Sequence, residues 1–166
     1  MTRPLPDTSA HGDLAAVVIR TDYEDAIAWQ AVRAALEAPD EFGEPESWIV
    51  DDPAWAGADV NEVLAAVAAD EHLNDTVTVV FLADTATMRS PLQPLLAVTT
   101  FTREDCEDDE EYTALTEYGR AFRTEPAGVR AISANLELAN MDFQDFSAGA
   151  AAAPEQVFRA DWRTAG

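Results

Sequence analysis

The sequence predicts an α/β domain: a single mixed, partly parallel sheet of about five strands with about three helices packed on it. Three observations carry this prediction. The first half alternates short β-branched runs with stretches of helical periodicity, the pattern of right-handed βαβ crossovers and a parallel core. The second half places strand-like runs in succession, which fits antiparallel additions at one edge. Hydrophobic residues make up 48% of a 166-residue chain, enough to bury the core of one domain.

The elements follow in order. Residues 1–13 contain Pro4, Pro6, Ser9 and Gly12 and read as a flexible tail. Residues 14–20 (LAAVVIR) form an apolar run suited to a strand buried on both faces. Asp22 stands where a helix N-cap belongs, with Glu24 and Asp25 in the expected first turn. Ala28, Trp29, Val32, Ala35 and Leu36 make one stripe at helical spacing, and Pro39 ends it. Residues 40–46 are an acidic loop. SWIV (47–50) is a second strand, stopped by Asp51-Asp52-Pro53.

Asp59 is placed to cap a second helix, on which Val60, Val63, Leu64 and Val67 share a face. His72, Asn74 and Asp75 belong to a loop. TVTVVFLA (76–83) is the clearest strand, and Asp84 ends it. Pro91 and Pro94 bracket a loop before a fourth strand, LLAVTTF (95–101). Residues 102–118 are an acidic insertion, and 120–124 a short fifth strand. Pro126 suits the first turn of a third helix, with Val129, Ile132, Leu136 and Ala139 as its buried stripe and Phe143 and Phe146 continuing one side. The domain spans 14–146; residues 147–166 read as an Ala-rich linker and a C-terminal arm docked by Val157, Phe158 and Trp162.

Charge bounds the choice of partner. The chain has 32 acids, ten Arg and no Lys, for a formal net charge of -22. Seven carboxylates fall within eight residues: Glu104, Asp105, Glu107, Asp108, Asp109, Glu110 and Glu111. Removing those seven from the 32 leaves 25 acids against ten Arg, so the excess is global with a local maximum. Such a surface repels nucleic acid and anionic lipid and attracts basic proteins and cations. An Ala-rich, Lys-free composition also fits genome-wide codon bias, the bland source of the acidity. The single Cys106 excludes an internal disulfide, and its carboxylate neighbours disfavour the thiolate. No signal-peptide pattern opens the chain and no apolar run approaches a membrane span, so a cytoplasmic protein is expected.

Acids at strand ends are the best enzyme-like constellation. Asp22, Asp51, Asp52 and Asp84 would gather at one sheet edge if their strands are parallel, and open α/β sheets bind ligands there. Clustered carboxylates suit Mg²⁺, with Arg20 meeting a phosphate or pairing with the acids. The competing reading makes these residues caps and turn formers, and it is the stronger one, because no phosphate cradle or nucleophile motif accompanies them. His11 and His72 stand apart, and no serine has a recognisable base beside it. Arg120, Arg123 and Arg130 read as neutralisers of nearby acids. Trp48 and Trp55 flank Asp51-Asp52-Pro53; core packing is the default, and an exposed Trp55 would be an interface anchor.

Several blocks together carry a resemblance: VVIRTDYEDAIAWQAVRAAL (17–36), IVDDPAWAG (49–57), VVFLADTATM with PLLAV (79–88 and 94–98) and NLELANMDFQDF (135–146). They resemble a family of small actinobacterial proteins with no assigned function, over 14–146 and a terminal VFR at 157–159. Carried over residue by residue, the resemblance implies shared roles for Arg20, Asp22, Trp29, Asp51, Asp52, Pro53, Asp84, Asn135, Asn140, Met141, Asp142 and Phe143. It implies a shared fold and no particular activity. This chain departs from the family at 102–118, where the resemblance implies a short turn.

The function expected from these features is non-enzymatic binding of a basic protein partner, as an inhibitor or immunity-type factor, with no cofactor. The acids of 104–111 and an exposed Trp55 would make the contact. Rival readings are a DNA mimic that inhibits a DNA-binding protein, a Mg²⁺-dependent enzyme at the strand-end acids, and a housekeeping domain whose acidity serves solubility.

Overall fold

The computed structural model describes residues 16–39, 47–71, 73, 77–138 and 141–159. Among them lie six strands and six helices around one mixed sheet. The elements are β1 (Ala16–Arg20), α1 (Ala26–Glu37), β2 (Ser47–Val50), α2 (Val60–Ala69), β3 (Val79–Ala83), α3 (Thr85–Arg89), β4 (Leu95–Thr99), α4 (Asp109–Leu115), β5 (Ala121–Thr124), α5 (Val129–Glu137), α6 (Phe143–Ala152) and β6 (Val157–Phe158). Short 3₁₀ turns at Pro53–Trp55, Arg103–Asp105 and Pro126–Gly128 join them. The N-terminal tail with His11, the 40–46 loop, His72, Asn74, Asp75, Asn140 and Trp162 lie outside the described residues. No helix among the described residues is long and apolar enough to cross a membrane.

The strand order is β2-β1-β3-β4-β5-β6. β1 runs parallel to β2 and β3, with Val18 opposite Ile49 on one side and Phe81 on the other. β4 is antiparallel to both β3 and β5, and β6 is parallel to β5. Five strands therefore point the same way, and the C-terminal ends of β1, β2, β3 and β5 share one edge with the start of β4.

Period-two alternation divides the strands between two cores. Val18, Phe81, Ala97 and Phe122 face Trp29, Val32 and Leu36 of α1, Ile132 of α5 and Phe146 of α6. Val17, Ile19, Val80, Leu82 and Val98 face the other way, against Trp55 and Val63 and Val67 of α2. Helices thus cover both faces, which is why β1 and β3 read as continuous apolar runs rather than alternating ones. α1 and α2 pack on opposite faces as the chain passes from β1 to β2 and then across to β3, placing a switch point between β1 and β3.

Three local expectations are corrected. α1 begins later than expected: Asp25 is its N-cap, accepting the Ala28 N–H at 2.9 Å, while Asp22 accepts the Glu24 N–H at 2.9 Å in the preceding turn. Between Asp84 and the expected loop at Pro91 and Pro94, where no element was expected, a capping box between Asp84 and Thr87 starts α3, whose five residues are too few to show a helical period. The expected third helix is two, α5 and α6, with Asp142 and Asp145 closing a capping box at the second start. Residues 147–152, expected as linker, are the end of α6, whose inner side packs on the core: Ser147 is 1% and Ala150 2% exposed. Small residues there admit the Phe158 ring, which anchors β6 as a sixth strand.

Gly128 shows the tightness of this corner. A Cβ there would collide with Thr124 Oγ1 and come within 3.0 Å of Phe158 Cδ1. Gly57 is needed for another reason: its φ of +76° lies in the left-handed region, and its N–H donates to the Thr21 carbonyl at 2.9 Å.

Trp55 is 0% exposed. Its expected use as a surface anchor is therefore corrected to a core role, because the 3₁₀ turn capped by Asp52 rolls the indole under the sheet beside Val63. Trp55→Ala should cost about 3–5 kcal/mol of unfolding free energy, as for other buried large aromatics. Chemical denaturation followed by far-UV circular dichroism measures this, and a cost below about 1 kcal/mol would contradict the buried placement.

Candidate functional site

Two regions are candidates for a functional site: the C-terminal edge of the sheet and the acidic segment 102–118. At the edge, β1 ends in Arg20, which is 7% exposed. A buried guanidinium must be answered by acceptors and counter-charge. Its Nε donates to the Asp22 carbonyl at 3.0 Å and its Nη1 to Asp51 Oδ1 at 3.2 Å. Its flat face lies 4.1 Å from the Tyr23 ring centroid and 5.1 Å from that of Trp29. Asp51 also accepts the Trp29 indole N–H at 3.1 Å through Oδ2, and Arg33 Nη1 stands 3.9 Å from the same oxygen. One carboxylate thus joins the ends of β1 and β2 to α1. Burial, then the negative charge of Asp51, pushes the Tyr23 phenol up to about 12.

A second pair sits one strand along. Arg123 of β5 reaches over the start of β4 to grip Asp84 with two bonds, Nη1–Oδ1 at 2.8 Å and Nη2–Oδ2 at 3.0 Å. Arg123 Nη1 and Thr87 Oγ1 also donate to the Pro94 carbonyl, at 3.2 and 2.9 Å. Burial by itself would raise the Asp84 pKa. The Arg123 guanidinium and the Thr87 N–H and hydroxyl outweigh it, holding the carboxyl below the usual range.

The parallel strands do bring the ends bearing Asp22, Asp51, Asp52 and Asp84 to one edge, but each acid is engaged separately. Asp22 closes a turn, Asp51 holds Arg20, Asp52 accepts the Ala54 N–H at 2.9 Å, and Asp84 caps α3. Among the described residues, no group of three or more His, Cys, Asp or Glu is placed to hold a metal ion. The switch point is filled as well. The Thr21 N–H donates to the Ala83 carbonyl at 2.9 Å, and the Thr21 carbonyl accepts from Gly57.

The acidic segment is more open. Glu104, Asp105, Glu107, Asp108, Asp109, Glu110 and Glu111 are all exposed. Three of them order their own backbone. Asp105 accepts the Thr102 N–H at 2.7 Å, Asp108 caps α4 by accepting the Glu111 N–H at 2.7 Å, and Glu111 accepts the Glu107 N–H at 2.7 Å. Asp109 stands 3.5 Å from Arg103 Nε. Asp109, Glu110 and Glu111 occupy the first turn of α4, where the helix dipole favours negative charge. The segment is fastened to the core by aromatic edges: Tyr112 packs on Phe101 at 6.2 Å between centroids, and Phe101 on Phe143 at 6.3 Å. Desolvation and the charges of Glu111, Asp105 and Asp108 raise the Cys106 pKa.

Some participants escaped the sequence reading. Tyr23 carried no signal, and Trp29 read as a core stripe residue, which it also is. Arg123 was expected to neutralise acids, but its partner Asp84 is 39 residues away in the chain. Arg120 serves carbonyls instead, donating to Phe101 O at 2.8 Å and to Thr99 O at 3.4 Å.

Asp51→Asn should lower stability by about 2 kcal/mol, since the amide keeps an acceptor for Trp29 but leaves the Arg20 charge buried and uncompensated. Millimolar Mg²⁺ should raise the melting temperature of neither protein by a saturable increment. A saturable Mg²⁺ effect lost in Asp51→Asn would restore the metal reading.

For Asp84, whose folded pKa lies below the unfolded value of about 3.9, the stabilisation is present above that value. It is lost as pH falls through the folded pKa. The stability difference between the wild type and Arg123→Ala should therefore be full at pH 6 and shrink below about pH 4 in urea titrations. A difference independent of pH would show that Arg123 acts through packing alone.

Replacing 103–118 by a short turn removes exposed charge, the Tyr112–Phe101 contact and the exposed hydrogen bond from Gln144 to Glu117. The expected cost is within about 1–2 kcal/mol, because repulsion among the acids offsets the Tyr112 packing that is lost. Differential scanning calorimetry checks this, and loss of the cooperative transition would mark the segment as essential to the fold.

A protein-family profile described as a domain of unknown function (DUF6924) matches residues 15–161, and the chain belongs to that family. Comparison with curated proteins gave no match.

Proposed function

We propose that this DUF6924 member is a non-enzymatic protein that binds a basic protein partner, in the manner of an inhibitor or immunity-type factor. The observation that carries the reading is the acidic segment, a formed turn and helix whose seven carboxylates are exposed. Seven carboxylates project from 104–111 on a turn and helix that the acids themselves cap. Charge that is both concentrated and presented on a formed element steers association with a positive surface more effectively than the same charge on a floppy loop. The strand-end carboxylates support the reading indirectly: they are occupied by arginines and backbone N–H groups of the protein itself. The partner would meet carboxylates on 104–111, with no contribution from Trp55.

The test is the salt dependence of association, measured by stopped flow with a basic protein captured from a native lysate at low salt. The rate constant should fall steeply between 0.01 and 0.15 M salt, as the Debye length shrinks from about 30 Å to about 8 Å. Replacing Asp105, Asp108 and Asp109 by Asn and Glu104, Glu107, Glu110 and Glu111 by Gln keeps the capping acceptors. It should slow association about tenfold or more while changing dissociation little. An association rate flat with salt would overturn the proposal. Competitive displacement by duplex DNA would assign the contact to DNA mimicry.

A further inference from the structure

We draw no further inference here: the strongest candidate, the open groove along α4 lined by Asp109, Glu110, Thr113, Ala114 and Glu117, is part of the acidic surface already described, and nothing in the structure shows what would occupy it.

Discussion

A positive charge buried at the end of the central strand sets the terms for this fold. Holding the Arg20 guanidinium in a nearly solvent-free position is costly unless an opposing carboxylate and hydrogen-bond acceptors meet it. Asp51 supplies the carboxylate from β2, Asp22 a carbonyl from the following turn, and Tyr23 and Trp29 the aromatic faces. Meeting all of these conditions at once fixes the register of β2 on β1 and the position of α1 above them. The same Asp51 takes the indole N–H of Trp29, so the first crossover is closed by hydrogen bonds at the end where helix and strand meet. A hydrophobic pair could supply comparable stability. A charge with this many geometric demands tolerates fewer alternative arrangements.

The antiparallel half is tied on by a related device. β4 reverses direction, and a reversal leaves the chain near Pro94 with carbonyls to satisfy. Arg123 and the Thr87 hydroxyl both donate to the Pro94 carbonyl, while Arg123 holds the two oxygens of Asp84 and the Thr87 N–H donates to Oδ1. Asp84 is at once the end of β3, the cap of α3 and the partner of β5. Two arginine–aspartate pairs along one sheet edge therefore use the acids that an open α/β sheet would otherwise present to a ligand.

Acidity is divided between two regimes. At the sheet edge, carboxylates are paired and structural. In 104–111 they are exposed, and their stabilising work is local, at turn and helix starts, where N–H groups are short of acceptors. Mutual repulsion keeps this segment in solvent, while Tyr112 on Phe101 limits how far it can move from the core. The proposed partner surface follows from that division, because 104–111 concentrates seven exposed carboxylates within eight residues.

Much of this was legible in the residues. Apolar runs located β1, β2 and β3, the alternation of elements implied their parallel pairing, and the density of like charge placed 104–111 in solvent. Such signals are local, since strand burial and charge repulsion act on neighbouring residues. The sequence did not disclose that Asp25 rather than Asp22 caps α1. Both are competent caps, and the choice depends on where Arg20 needs the Asp22 carbonyl. The sequence left Trp55 open between core packing and an exposed anchor, and it did not disclose that 147–152 is a packed helix or that two residues, Val157 and Phe158, complete the sheet. Ala and Gly carry little periodic signal, and a two-residue strand carries none. Their conformations are decided by the Phe158 ring and the space left at Gly128 and Gly149. Composition and pattern thus located the buried runs of β1, β2 and β3 and the exposed acids of 104–111, whereas the pairing of Asp51 and Asp84 with their arginines required distant strands to be brought together in three dimensions.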